Sequence, residues 1–526
     1  MDREFDVVLV GSGHNGLIAA GYLAKSGLSV LVLEQNDTFG GGVATDESVA
    51  TGFHHDLHSA THILIQANPL IRNDELGLQA KYGLKYIYPD AVFSTIFDDQ
   101  SHIVTYGDLE RTCASIGAVS PQDGENYRCF AAVSAGILSI IVEGAFVPPP
   151  PQGPFWALLD QSPQGQTFMS ALQKSILDIV REWFTDEKVM IHMLKMAAEG
   201  LVAPEEKGTG ILLYTLPSFV HAYPSGVPQG GSGALVSSLV RCLEDHGAEL
   251  QTGSTVEKFI SENSRVTGVR LVGGETIGVR KAVIGMIHPW LLPEMVDGLE
   301  DQLVANAKGT TTASFAIMAG HYALEEPPQY HAGPEPGKAA LVNFAPARME
   351  QFLRIFDDFR YGDILQKDSI MAAHEHTQFD PGLAPPGKAT YTVFGFASFE
   401  LRDSGADGWD RHCDDVGDWL TAQLHHYIPN MEGGNILASL FESPLDMRRR
   451  SPTFQGADVG GVGKYLHQFG GHRPTPELAQ FAVPGADGLY LAGTFMHPAG
   501  GVTGGGRATA VKICDDLGID FDGLTR

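Results

Sequence analysis

Residues 9–42 read LVGSGHNGLIAAGYLAKSGLSVLVLEQNDTFGGG. The run FDVVLV that leads into them is short and rich in β-branched valine, the pattern of a buried parallel strand. Gly11, Gly13 and Gly16 follow at once, the apolar positions of NGLIAAGYLAKSG repeat at helical spacing as far as Gly27, and LSVLVLE supplies a second strand ending on Glu34. Strand, glycine loop, helix, strand and terminal acid make one βαβ unit. Gly11 permits the tight turn, Gly13 lets a pyrophosphate approach the backbone, and Gly16 lets the helix pack on the strand. The helix N-terminus then faces the phosphates, and Glu34 is placed to accept hydrogen bonds from the adenosine ribose. The unit predicts a site for an adenine dinucleotide.

A chain of 526 residues exceeds what one core usually covers, so two intertwined domains are expected. Asp and Glu outnumber Lys and Arg by 63 to 35, a formal charge of -28. Such a surface repels phosphate backbones and anionic lipid, which argues against a nucleic-acid partner. Cys113, Cys129, Cys242, Cys413 and Cys514 are scattered with no C-x-x-C pair, which suits free thiols in a reducing compartment. MDREFD runs straight into VVLV without the features of a signal peptide, so a cytoplasmic location is the expectation. The apolar run FAAVSAGILSIIV at 130–142 is too short to span a bilayer and reads as a buried helix. Its alternative is a helix touching a membrane at a substrate entrance, so membrane contact is at most peripheral.

NAD and FAD sites share the first fingerprint, and the remaining glycine motifs separate them. Gly40, Gly41 and Gly42 open GGGVATDE soon after Glu34, and GLYLAGTFMHPAGGVTGGGRATAVKICDDLG at 488–518 reads as strand, glycine loop and helix. Residues 230–285 read as a helix ending at Gly247, a strand AELQTGSTVEKFI, and then a hairpin and strand. On GSGHNGLIAAGYLAKSGLSVLVLE, GGGVATDE, PQGGSGALVSSL and LYLAGTFMHPAGGVTGGG, the chain resembles the phytoene-desaturase-like FAD oxidoreductases, particularly their phytoene-dehydrogenase-related branch.

The resemblance covers the cofactor domain well and the substrate domain poorly. It implies an α/β fold: a Rossmann-type FAD-binding domain of glutathione-reductase-like or amine-oxidase-like form, with a discontinuous α+β substrate domain. The expected boundaries are 1–98, 225–298 and 455–526 for FAD, and 99–224 and 299–454 for substrate. The PPPPQGP segment at 148–154 is expected to be a stiff extended connector without helix. Carried onto this sequence, the residues expected to hold FAD without a covalent bond are Gly11, Ser12, Gly13, Asn15, Gly16, Glu34, Gln35, Gly41, Gly42, Val43, Ser59, Val256, Gly493, Thr494, Gly501, Val502 and Thr503. Two positions depart from the family pattern. Val43 and Ala44 stand where many relatives carry an arginine, and Thr494 stands where many carry Asp.

A flavin oxidises by accepting hydride at N5, so the protein must hold a C–H bond close and receive a proton from the neighbouring atom. GFHHDLHSATHILIQ at 52–66 runs past the flavin in relatives and offers His54, His55, Asp56, His58 and His62. His467 and His472 in GKYLHQFGGHRP and His497 in TFMHPAGG are expected on the same face. His58 and His497 are the catalytic candidates, with His62, Tyr223 and His467 as substrate contacts. His54 and His55 read as satisfied loop residues. No nearby Cys or Glu completes a metal site, and none is expected. MRRRSP at 447–452 reads as a solvated basic patch, with an anchor for a substrate carboxylate as the alternative.

These features predict an FAD-dependent dehydrogenase or oxidase that desaturates a C–C bond of a small molecule. A small cyclic ketone or carboxylate is favoured, a carotenoid- or lipid-like apolar substrate of a desaturase or isomerase is the competing class, and amine oxidation is a further reading. A non-catalytic flavin-binding scaffold is the reading outside enzymology. QGGSGAL and VGGVGKYL both lack the third glycine of a nicotinamide loop, so oxygen or a quinone-like acceptor is expected to take the electrons.

Overall fold

The computed structural model describes residues 3–364 and 368–526, and within them two seven-stranded sheets carry the fold. The first sheet runs Val256–Glu262, Arg265–Leu271, Thr276–Gly285, Glu4–Val10, Val30–Leu33, Glu249–Gln251, with Leu489–Leu491 pairing Thr276–Gly285 from outside that path. Its centre is parallel: Val10 lies opposite both Leu33 and Gly285, and Gly285 lies opposite Leu491. Every residue of Val30–Leu33 is buried, as expected of a strand covered by helices on one face and further chain on the other. Helix His14–Lys25 packs on this sheet and against helix Gly506–Leu517 from the other end of the chain.

The segment expected as one strand over AELQTGSTVEKFI is two. Glu249–Gln251 continues the parallel order beside Val30–Leu33, whereas Val256–Glu262 turns into an antiparallel pair with Arg265–Leu271. Residues 252–255 bridge them, and Ser254 N–H donates to the Glu34 carbonyl at 2.7 Å. Sequence alternation spans the break because both halves have strand composition.

The second sheet is mainly antiparallel, in the order Ile436–Glu442, Ala316–Leu324, Ala389–Ala397, Met371–His374, Leu341–Ala345, Ala91–Phe97, His102–Tyr106. A helical layer between residues 109 and 222 shares one apolar core with part of this sheet. Two expected boundaries move. Ala91–Phe97 pairs with Leu341–Ala345, so the first cofactor-domain segment ends before Ala91 rather than at 98. Leu303 and Ala307 of helix Asp301–Lys308 belong to the same apolar core as Val8, Leu31 and Val283 of the first sheet, so the middle segment runs past 298.

The proline segment also differs from expectation, since helix Gln152–Leu159 begins inside it. Pro154 falls in the first turn, where no intrahelical N–H is lost. The apolar run at 130–142 sits within a longer helix, Pro121–Ala145, whose most apolar stretch is one-third buried. By length and composition that helix is long and apolar enough to cross a membrane, so the expectation of too short a span and of a buried helix is corrected; Ala132, Ala135, Ser139 and Glu143 form an exposed face.

Candidate functional site

At the carboxyl ends of the parallel strands, a cavity of about 530 Å³ is lined by residues from both sheets and the helical layer. This is where open α/β sheets bind their ligands. Gly11 leaves its strand with φ +86°, and a Cβ there would sit 2.9 Å from the Met286 Cβ. A Cβ on Gly16 would lie 2.7 Å from Leu9 Cδ1, so that glycine sets the approach of helix to strand. The Gly40 N–H donates to the Ser12 carbonyl at 3.1 Å, which docks the second glycine run beside the first. Among the described residues no side chain caps helix His14–Lys25, and Gly11, Ser12, Gly13, Gly41 and Gly42 all line the cavity at its start. Uncapped amides and glycines that leave room for a ligand form an anion-binding cradle suited to a pyrophosphate.

Glu34 is buried on the same wall with its acceptor sites largely occupied. One oxygen accepts from Ser12 N–H at 2.8 Å and Ser12 Oγ–H at 2.6 Å; the other accepts from Asn36 N–H at 2.9 Å and Asn36 Nδ2–H at 3.0 Å. Glu34 therefore braces the glycine loop, and a ribose hydroxyl reaches it by displacing or sharing the Asn36 amide. Gln35, Val43, Ser59, Val256, Gly493, Thr494, Gly501 and Val502 also line the cavity. Asn15, Gly16 and Thr503 stand behind the lining. Asn15 Oδ1 accepts from Gly506 N–H at 3.1 Å, and the Thr503 and Gly504 carbonyls accept from Asn68 Nδ2 at 3.1 and 3.0 Å. These three support the wall instead of forming it.

The Thr494 hydroxyl donates to the Val459 carbonyl at 3.0 Å, leaving its oxygen as an acceptor. Beneath that loop Arg473 is fully enclosed, and it donates to the carbonyls of Val462, Gly463, Gln468, Thr494 and Met496. Burial lowers its pKa to about 10. A guanidinium spent on five carbonyls fixes the loop, and among the described residues no arginine lines the cavity.

His58 lines the cavity beside Phe454, ring centroids 5.9 Å apart and nearly edge-on. Among the described residues neither of its ring nitrogens has a hydrogen-bond partner; the Glu442 carboxylate stands 3.6 Å from Nε2. Burial pulls the imidazole down to about 4, and the Glu442 charge opposes that shift. His58 is thus neutral near pH 7, a weakened base with a ring nitrogen free among the described residues, and a proton placed on it is favoured chiefly by the neighbouring Glu442 charge. Glu442 also meets His321 Nε2 at 3.2 Å, and its carboxyl stays below the usual range despite burial because of His321, His58 and Arg450.

His497, the other catalytic candidate, is not in the lining. Its Nε2–H donates to the Gly144 carbonyl at 2.8 Å, and burial lowers its pKa to about 4. The structure corrects that assignment: the ring ties the C-terminal glycine loop to the end of helix Pro121–Ala145. The three substrate candidates are corrected too. His62 is held between Tyr86 Oη and Ser232 Oγ, each at 3.1 Å. Tyr223 packs on Phe219 with Arg72 over its ring. His467 is exposed and stacked on Tyr465. His55 is no loop residue either; it is buried on strand Phe53–Asp56, facing His321, with both ring nitrogens unpartnered among the described residues. Among the described residues, no group of three His, Cys, Asp or Glu is arranged to hold a metal.

Sequence reading passed over His14, Asn36, Ser254, Thr255, Phe454 and Lys464, all in the lining. His14 is visible only as a variable position of the glycine motif. Lys464 lies in VGGVGKYLHQFGGHRP, a segment read for the nucleotide loop it fails to make and for its histidines. Around the sheet-to-helix part of the cavity the wall is mostly apolar: Ile63, Leu64, Phe93, Met196, Leu212, Leu216, Ile317, Leu341, Phe394 and Met447.

Residues 9–73 match the family described as NAD(P)-binding Rossmann-like domain. The whole chain is similar to one of the polypeptides of limonene dehydrogenase from Castellaniella defragrans, at 24% identity over 99% of this chain and 96% of that protein. It is similar as well to phytoene desaturase (lycopene-forming) of Pseudescherichia vulneris, at 25% identity over 97% and 99%. In fold it resembles the solved cyclohexylamine oxidase from Brevibacterium oxydans IH-35A, with a TM-score of 0.59 at 15% identity, covering 98% of this chain and all of that one.

Proposed function

We propose that this chain, which belongs to the phytoene-desaturase-like flavin oxidoreductases, holds FAD without a covalent bond and desaturates a C–C bond of a small molecule. One observation carries the reading: the cradle formed by the glycine loops and the apolar chamber are one continuous cavity, with a neutral, unpartnered histidine in its wall. Bound FAD supplies a hydride acceptor, so the substrate loses one hydrogen with its electron pair and the adjacent hydrogen as a proton.

The chain's own residues account for the rest. The amides of Gly11–Gly13 and the second glycine run would hold the pyrophosphate, Glu34 braces the first loop, and Ser254, Thr255 and Val256 would line the adenosine end. Phe454 and the apolar wall would exclude water from a substrate bound in the chamber. His58 Nε2 or Nδ1 takes the proton, and Glu442 then stabilises the resulting cation from 3.6 Å. Electrons pass on to oxygen or a quinone-like acceptor, a reading supported by the single complete dinucleotide loop in the sequence.

The test is release of the cofactor. Acid precipitation of the yellow protein should free FAD into the supernatant. A colourless protein that cannot be reconstituted overturns the reading, and flavin left on the pellet overturns its non-covalent part. Substrate-driven formation of NADH or NADPH under anaerobic conditions would overturn the acceptor assignment.

A further inference from the structure

Among the described residues, Lys464 is the only lysine or arginine that lines the cavity. Its ammonium donates one hydrogen bond, to the Gly200 carbonyl at 2.6 Å, just past helix Glu187–Ala198. At Gly200 the ammonium and Leu212 lie side by side, a Cβ there being 3.7 Å from Lys464 Nζ and 3.5 Å from Leu212 Cδ1, and the helical wall of the same cavity adds Met196, Ala197, Thr215 and Leu216. Among the described residues no carboxylate lies within ion-pairing distance of it. Glu199, on the same wall, is paired with Lys195, and Asp458, the acid nearest in electrostatic effect, accepts from Ala313 N–H and Gly460 N–H.

We propose that Lys464 anchors an oxygen of the substrate, a carbonyl or carboxylate carried on an otherwise apolar body. An ammonium has three donors, and a single carbonyl satisfies one. A hydrocarbon filling the chamber would leave the other two without an acceptor from the ligand, which disfavours it beside an ammonium that has no ion-pair partner among the described residues. A ligand oxygen removes that cost and gains a charge-assisted hydrogen bond. Burial lowers the lysine only to about 8, against the opposing pull of Asp458, so the cation still predominates at neutral pH. The arginines of the basic run at 447–452 do not compete for this role. Arg449 pairs with Asp410 at the surface, Arg448 covers Phe399, and none of them lines the cavity.

This inference rests on the desaturation reading for what happens to the ligand, and its test is binding alone. Calorimetric titration of the flavin-loaded protein with cyclohexanecarboxylate, cyclohexanone and methylcyclohexane holds the ring constant while the oxygen changes. The wild type should bind the carboxylate at least ~10-fold more tightly than the hydrocarbon, the factor of one charge-assisted bond. Lys464→Met should abolish that preference without weakening the hydrocarbon, and Lys464→Arg, which keeps the charge, should retain most of it. Equal affinity for all three probes in the wild type, or a preference that survives Lys464→Met, overturns the proposal. Should Lys464→Met not fold, loss of the preference in Lys464→Gln or its persistence there decides the matter the same way. Flavin content measured on the same samples separates this result from the cofactor reading, because Lys464-dependent binding to a protein without FAD would sink only the latter.

Discussion

Glu34 does two jobs, and its removal is expected to show both. Its carboxylate holds Ser12 through backbone and hydroxyl, and Asn36 through backbone and amide. Glu34→Ala should weaken FAD by about 1.5–3 kcal/mol, roughly ten- to a hundredfold in affinity. Titration of apoprotein with FAD checks this, and an unchanged dissociation constant means the loop does not depend on the acid. The two histidines should separate cleanly. With His58 in the wall and unpartnered, His58→Ala should slow anaerobic flavin reduction by the true substrate at least ~100-fold, the lower end for acid–base catalysis. His497→Ala removes a donor from the Gly144 carbonyl, so it should cost about 1–3 kcal/mol of stability and leave the reduction rate within a few-fold. Stopped-flow reduction and thermal denaturation of both variants read the two effects; equal slowing by both would return His497 to the chemistry. Sequence could not tell these residues apart, because each sits one loop away from a glycine motif and only the fold decides which ring faces the cavity.

At the scale of elements, the chain's two ends meet through glycine. A Cβ on Gly506 would lie 1.9 Å from the Asn15 carbonyl oxygen, a backbone atom that cannot swing aside. The helices His14–Lys25 and Gly506–Leu517 cross there, and Gly506 N–H donates to Asn15 Oδ1. Gly506→Ala must push the helices apart and should cost about 1–3 kcal/mol, as overpacking does. A lowered melting temperature together with weaker FAD retention is expected; wild-type values for both would show that the crossing can relax. These parts of the fold were legible because glycine spacing and strand patterning are local signals. The chamber was not. Its wall draws on residues as far apart as Phe93, Met196, Ile317, Leu341 and Phe394, ordinary core residues by sequence whose exposure to a cavity follows from how the second sheet and helical layer meet. Glu442 and His321 come together for a related reason: their strands pair in the second sheet, a contact 121 residues apart in sequence.

Over the whole molecule, neutral histidines are built into the folded state. Burial lowers His14, His58, His288, His376 and His497 to about 4 and His55, His62 and His192 to about 3. In the unfolded chain each titrates near the ordinary value of about 6.5. Between about pH 6.5 and 4 the unfolded chain therefore binds protons that the folded chain refuses, so stability is full above 6.5 and falls as pH drops through that window. Each unit of difference amounts to about 1.4 kcal/mol, so a few such histidines rival a typical total stability of about 5–15 kcal/mol. Carboxyls whose pKa is raised work the other way, Asp358 among them through burial and its acidic neighbours. Burial raises Asp56 and Glu375 to about 7, so they favour the folded state more as pH falls from 7 towards their ordinary values near 4. Acid also relieves the repulsion of a chain carrying -28 charges. The eight histidines outnumber the raised carboxyls and decide the sign, since surface repulsion is screened by salt while burial is not. Differential scanning calorimetry of the holoprotein at fixed ionic strength should show the melting temperature nearly level from pH 8 to 6.5 and dropping steeply towards pH 5. A melting temperature that holds or rises over that last interval would mean that water reaches these histidines and that they charge in place.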